Sequence, residues 1–148
     1  QGLSAALVKG GVEAPVVPDI RAAIWGKLAG NVAFSPLAAL TGATLDVIGK
    51  DPDLNRLGQL LVAETTAVAA ALGVTMGPEV KRIMDPNLNR PAHKPSLLQD
   101  LERGRPMEID GMLGSLQDLA RLARVPTPEF DTVLALLRQR AQMAGLYP

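Results

Sequence analysis

Between Asp51 and Gly73 apolar side chains return every three or four positions: Leu54, Leu57, Leu61, Val68 and Leu72, with Ala71 on the same face. That spacing marks an amphipathic helix. Asp51-Pro52 supplies an N-cap acid and a proline at the first turn, and Gly73 stands where the helix should end. A second stretch follows the same rule. Ile109, Met112, Leu113, Leu116, Leu119, Ala120 and Ala123 share one face of a helix expected to start at Arg105-Pro106. A third is expected from a Thr127-Pro128-Glu129 cap, with Phe130, Val133, Leu134, Leu137 and Ala141 inward and Gly145 just past its end. Glu79 to Met84 and Ser96 to Arg103 read as shorter helices, and Pro86, Pro91 and Pro95 mark the loop between them. Strand signals are weak, since Val16-Val17 and Val74-Thr75 are too short to use. No fixed-period repeat or low-complexity tract appears. The pattern predicts a compact all-α domain of about six to seven helices.

A further helix is expected over Pro18 to Ser35, and polar residues interrupt its pattern. At about 100° per residue, Ile20, Ile24, Lys27, Asn31 and Ser35 fall on one face, with Phe34 beside them. Ala22, Gly26, Ala29, Gly30 and Ala33 lie opposite, flanked by Trp25, and such small residues let another helix pack close. The helix therefore reads as buried on both sides, with Lys27, Asn31 and Ser35 a polar stripe inside it. A buried ammonium is costly unless it is paired or gives up its proton. Lining a water-poor cleft, Lys27 could donate a proton or hold a developing oxyanion. The bland alternative is a lysine that carries its head to water at a helix end.

Leu28 to Leu45 carries no charge, and about 18 apolar residues is the length of a membrane-spanning candidate. Asn31, Ser35, Thr41 and Thr44 lie within it, and Pro36 should break a straight helix. A helix buried in a soluble domain, then a break, is the expectation.

Other polar residues have ordinary explanations. Glu64 lies on the apolar stripe of its helix, which favours a structural ion pair or a carboxylate bonded to backbone. Ser96 followed by Gln99 reads as a capping box. Glu108 falls near the third residue of the helix expected from Arg105-Pro106, where a carboxylate meets the positive end of the dipole. Gly111 and Gly114 would admit another backbone.

Composition narrows the function. The 148 residues carry zero formal net charge, which gives no footing for nucleic acid or an anionic membrane. There are no cysteines, hence no disulfides or thiolate metal sites, and His93 is the single histidine, a poor start for a metal site. No G-x-G-x-x-G after a strand and no phosphate-binding G-x-x-x-x-G-K-[ST] is present, so this chain has no Rossmann domain of its own. It opens on Gln1 without a signal-peptide pattern, and Leu3, Leu7 and Val8 suggest a helix in progress. The expectation is a chain that begins mid-protein.

Two long motifs, "DIRAAIWGKLAGNVAFSPLAALTGATL" and "KPSLLQDLERGRPMEIDGMLG", together resemble the C-terminal helical domain of the ketopantoate reductase (2-dehydropantoate 2-reductase) family. The likeness extends to "AALVKGGVEAPVVPDI", "GQLLVAETTAVAAALGV" and "ARLARVPTPEFDTVLALL", nearly the whole chain. It implies a helical domain like that of 6-phosphogluconate-dehydrogenase-type enzymes, working beside an N-terminal Rossmann domain that binds NADPH. The implied reaction is hydride transfer to a 2-keto acid, giving the 2-hydroxy acid, in a cytoplasmic enzyme of pantothenate and coenzyme A biosynthesis, and a homodimer is one assembly the resemblance allows. Without the other half, this chain alone should be inactive.

Position by position, the resemblance makes Lys27 the catalytic acid that protonates the forming alkoxide. Asn31, Ser35 and Ser96 become substrate ligands, and Glu108 lies near the cofactor. The family usually has a second asparagine before the proline, where this chain has Ser35. Serine has shorter reach and one donor instead of two, which leaves the keto acid open. Two alternatives stand beside this reading. One is a non-catalytic dimerisation or ligand-binding module. The other is a related hydroxyacid or glycerol-3-phosphate dehydrogenase with another substrate.

Overall fold

The structure, a computed structural model, describes residues 2–148. Among the described residues seven α-helices follow one another: α1 (Gly2–Lys9), α2 (Ile20–Thr41), α3 (Leu45–Lys50), α4 (Pro52–Ala71), α5 (Ser96–Glu102), α6 (Ser115–Ala123) and α7 (Pro128–Met143). A 3-10 turn spans Pro78–Arg82 and a π turn spans Asp110–Gly114, and no strand occurs among the described residues. The all-α expectation holds.

The axis of the domain is α2, which packs against α3, α4, α5, α7 and the 3-10 turn. Asp19 caps it by accepting from the backbone N–H groups of Arg21 (2.9 Å) and Ala22 (3.1 Å). Its alanines (Ala29, Ala33, Ala38, Ala39) are buried, so neighbouring helices approach closely. From Val32 to Ala39 every residue is buried. Pro36 does not end the helix as expected. Its ring removes one hydrogen bond to the Val32 carbonyl, but α2 continues to Thr41 because the whole turn is packed in the core. Gly42 closes it at φ 75°, donating to the Ala38 carbonyl (2.8 Å). No described helix is long and apolar enough to cross a membrane.

The other wheel expectation for α2 is half right. The small-residue face with Trp25, Ala29 and Ala33 is packed, but Ile20 and Ile24 are 61% and 59% exposed. The polar stripe therefore starts in solvent and enters the core only at its C-terminal end.

The remaining helices close the core. Phe130, Val133, Leu134, Leu137 and Ala141 of α7 are all buried, as their spacing predicts. In α4 the buried line runs through Asn55, Gly58, Leu61, Thr65 and Val68, while Ala71 is exposed. The expected face is rotated because Asn55 enters the interior with all its polar atoms engaged. Its amide donates to the Gly49 (2.7 Å) and Met84 (2.8 Å) carbonyls and its oxygen accepts from Gln59 (2.8 Å).

The helix expected from Arg105-Pro106 starts later, at Asp110. Met107 donates its N–H to the Leu146 carbonyl (2.9 Å), so the 105–109 segment runs against the C-terminal tail instead of coiling. Glu108 is therefore not in a first helical turn. Two capping expectations also change. Pro95, not Ser96, occupies the N-cap of α5, and Ser96 makes no capping bond. Thr127 sits at the N-cap of α7 without capping it. Glu64 does that from α4, accepting from Glu129 N–H (3.0 Å) and Phe130 N–H (2.8 Å).

Candidate active site

The C-terminal half of α2 forms one wall of a cleft of about 400 Å³. Gly30, Asn31, Phe34 and Ser35 line it from α2, Leu45 from α3, and His93, Pro95 and Ser96 from the segment entering α5. The two segments facing α2 are tied by the backbone, since Leu45 N–H donates to the His93 carbonyl (3.0 Å). Release of Ser96 from capping has a direct consequence, because its exposed hydroxyl is left at the cleft instead of on its own backbone.

Three residues expected from sequence thus meet in one place: Asn31, Ser35 and Ser96. They differ in setting. Ser35 is buried at 4%, Asn31 is half-buried and Ser96 is exposed. Together they offer an amide and two hydroxyls, donors and acceptors suited to a carboxylate or hydroxyl, beside the apolar walls of Phe34, Leu45 and Pro95. Lys27 is not buried. It lies one turn before Asn31 on the same helix and is exposed, outside the cleft lining. The reason is the open Ile20–Ile24 face, which nothing in this chain covers among the described residues. Glu108 is exposed, outside the cleft lining. It is four residues before Met112, whose Sδ lies 3.3 Å from Asn31 Nδ2.

Sequence reading missed several parts of this arrangement. Helical spacing places Phe34 only beside the stripe, yet it lines the cleft and carries the Arg90 guanidinium 5.4 Å from its ring centroid. Burial pushes the Arg90 pKa down from its usual value, against the opposing charge of Asp85. Arg90 is held by the Ile83 (2.5 Å) and Asp85 (2.7 Å) carbonyls, and Gly49 leaves room for it. His93, the single histidine, lines the cleft three residues before Ser96, a place that its sequence context does not signal.

Fold and cleft define an all-α domain in which the polar side chains of Asn31, Ser35 and Ser96 converge on one cleft. The chain belongs to the ketopantoate reductase family: residues 19–141 match the model described as "Ketopantoate reductase PanE/ApbA C terminal". That range opens on Asp19, the cap of α2. Over 145 residues the chain is 46% identical to a 2-dehydropantoate 2-reductase of Mesorhizobium japonicum, covering 98% of this chain and 44% of that protein. The chain thus spans about half the length, or less, of the curated relatives it matches. The solved 2-dehydropantoate 2-reductase from Methylococcus capsulatus superposes with a TM-score of 0.80 at 31% identity, over 97% of this chain and 50% of that one. D-mandelate dehydrogenase, solved with NADH and anilino(oxo)acetate, shares the fold at a TM-score of 0.88 and 23% identity, over 97% and 61% of the two chains.

Proposed function

We propose that this chain is the substrate-binding and proton-donating half of an NADPH-dependent reductase that converts 2-dehydropantoate to pantoate, on the way to pantothenate and coenzyme A. The observation that carries the reading is the meeting of Asn31, Ser35 and Ser96 in one cleft, with Lys27 a single turn away on the same helix.

In this reading the cleft holds the keto acid by its polar end. The Asn31 amide and the Ser35 and Ser96 hydroxyls orient the carboxylate and hydroxyl, and Phe34, Leu45 and Pro95 exclude water from the carbon chain. Fixing the C2 carbonyl this way lowers the entropic part of the barrier, often the larger share. Bound NADPH supplies the hydride. This chain has no glycine-rich dinucleotide cradle, and Glu108 is the residue it offers toward the cofactor. As charge builds on the carbonyl oxygen, the Lys27 ammonium stabilises it and then transfers a proton to it. A positioned acid contributes roughly 10²–10⁴-fold in rate. The exposure of Lys27 suits this role, because a cleft closed over it by another domain would lower the dielectric only when assembled.

The test is NADPH oxidation by the two-domain enzyme carrying this chain, with ketopantoate and a panel of other 2-keto acids. Ketopantoate-selective turnover supports the full reading. Activity confined to another keto acid keeps the chemistry and moves the substrate, as Ser35 in place of asparagine allows. Inactivity on all of them, with cofactor bound, favours a non-catalytic ligand-binding module.

A further inference from the structure

The segment after Glu108 is restrained far more heavily than an exposed surface turn needs to be. Both oxygens of Asp110 are engaged. Oδ1 accepts from Arg138 Nη2 (2.6 Å) and Nε (3.2 Å), and Oδ2 accepts from Tyr147 Oη (2.6 Å). Arg138 Nη1 also donates to Gln117 Oε1 (3.0 Å), and Gln117 Nε2 to Asp131 Oδ1 (2.5 Å). The tail is fastened a second time, through Met107 N–H on the Leu146 carbonyl. The Asp110 carboxylate folds back over its own turn, where Gly114 leaves the space: a Cβ there would stand 2.8 Å from Asp110 Oδ1 and 3.2 Å from Arg138 Nη2.

Stability is a poor reason for such a cluster. The Asp110 and Arg138 side chains are 57% and 30% exposed, and exposed ion pairs contribute only about 0–1 kcal/mol. What the cluster holds is the π turn, in which Gly114 N–H reaches the Ile109 carbonyl at 3.2 Å beside the Leu113 bond at 2.8 Å. Such turns carry an extra residue and are frequent at functional sites. This one carries Met112 to the Asn31 amide. A thioether sulfur only accepts, so the N–H side of the amide faces Met112, and among the described residues no donor reaches Oδ1, which can accept from a ligand.

We propose that Tyr147 and Arg138 are positioning residues that act through Asp110 and the π turn on Met112, which sets the orientation of the Asn31 amide so that its oxygen receives a hydroxyl donor of the ligand. The assignment of a ligand hydroxyl rests on the proposed function; the chain of contacts from Tyr147 to Asn31 does not.

The first experiment uses this chain alone, labelled with ¹⁵N, and follows the side-chain amide of Asn31, assigned by its loss in Asn31→Asp. Met112→Leu keeps the shape and removes the acceptor, so it moves those resonances. Tyr147→Phe and Arg138→Gln are expected to move them in the same direction while the backbone amides of α4 stay in place. Shifts confined to the tail in both variants overturn the proposal. The second experiment uses the two-domain reductase. Met112→Leu and Tyr147→Phe should raise KM for a hydroxyl-bearing 2-keto acid about five-fold, the weight of one ordinary hydrogen bond, and leave KM for the analogue lacking that hydroxyl unchanged. An equal loss on both substrates, or none, overturns the ligand assignment. A wild-type reductase that turns over no 2-keto acid would sink the proposed function, and the amide shifts would still decide the positioning role.

Discussion

Glu64 on α4 accepts the backbone N–H of Phe130, the third residue of α7, at 2.8 Å, and its other oxygen takes Glu129 N–H at 3.0 Å. Two helices far apart in sequence are joined by a cap that neither contains alone. Because Pro128 has no N–H, these are the first donors of α7, and the carboxylate also meets the positive end of its dipole. Glu64→Ala is expected to cost about 1–2 kcal/mol and to lower the melting temperature by several degrees, without touching the cleft. An unchanged melting curve would show that the cap is dispensable.

The Asp110–Tyr147 bond makes stability depend on pH at both ends. The Tyr147 hydroxyl, then the Arg138 guanidinium, holds the Asp110 carboxyl below the usual carboxylate range. That contribution is complete above the unfolded value of about 3.9 and is lost as pH falls through the lower folded value. The same bond raises the Tyr147 pKa above its usual value, because the phenol donates to a carboxylate. Its contribution is complete below about 10 and is lost as pH rises through the folded value. Tyr147 is the single tyrosine, so tyrosinate absorbance reports it alone. The midpoint should lie above that of a free tyrosine and fall back in Asp110→Asn.

Removal of the Lys27 amine should separate catalysis from folding. The side chain is exposed in this domain, so Lys27→Ala should alter stability by no more than about 0.5 kcal/mol. In the proposed two-domain reductase it should cut turnover roughly 10²–10⁴-fold. Paired measurements of NADPH oxidation and thermal unfolding check both, and near-normal turnover would remove Lys27 from the mechanism.

Ser35→Asn probes the departure from the family pattern. Asparagine restores a second donor at the cleft and should raise turnover of ketopantoate relative to other 2-keto acids. Ser35 is buried at 4%, so the added volume should cost about 1–3 kcal/mol. An unchanged substrate preference in competition assays would count against a specificity role.

The sequence by itself determined the helices whose stability is local or one-faced. The α7 face from Phe130 to Ala141 and the start of α4 at Asp51-Pro52 follow from periodicity and capping chemistry that neighbours in the chain supply. The stripe of Lys27, Asn31 and Ser35 was also legible, because positions four apart share a helix face in any context. Only the tertiary structure decided how deep each member of that stripe lies. Burial depends on what covers a face, so Ile20, Ile24 and Lys27 stay open while Ser35, on the same stripe, is enclosed by packing around Pro36. Tertiary contacts also overruled local signals where a distant group competed for the same backbone. Leu146 holds the segment before Asp110 out of a helix, and Glu64 caps α7 in place of Thr127. At α5 the helix begins one residue early, which frees the Ser96 hydroxyl. The cleft itself arises because Ser96 and Asn31, far apart in sequence, meet only once α5 packs on α2.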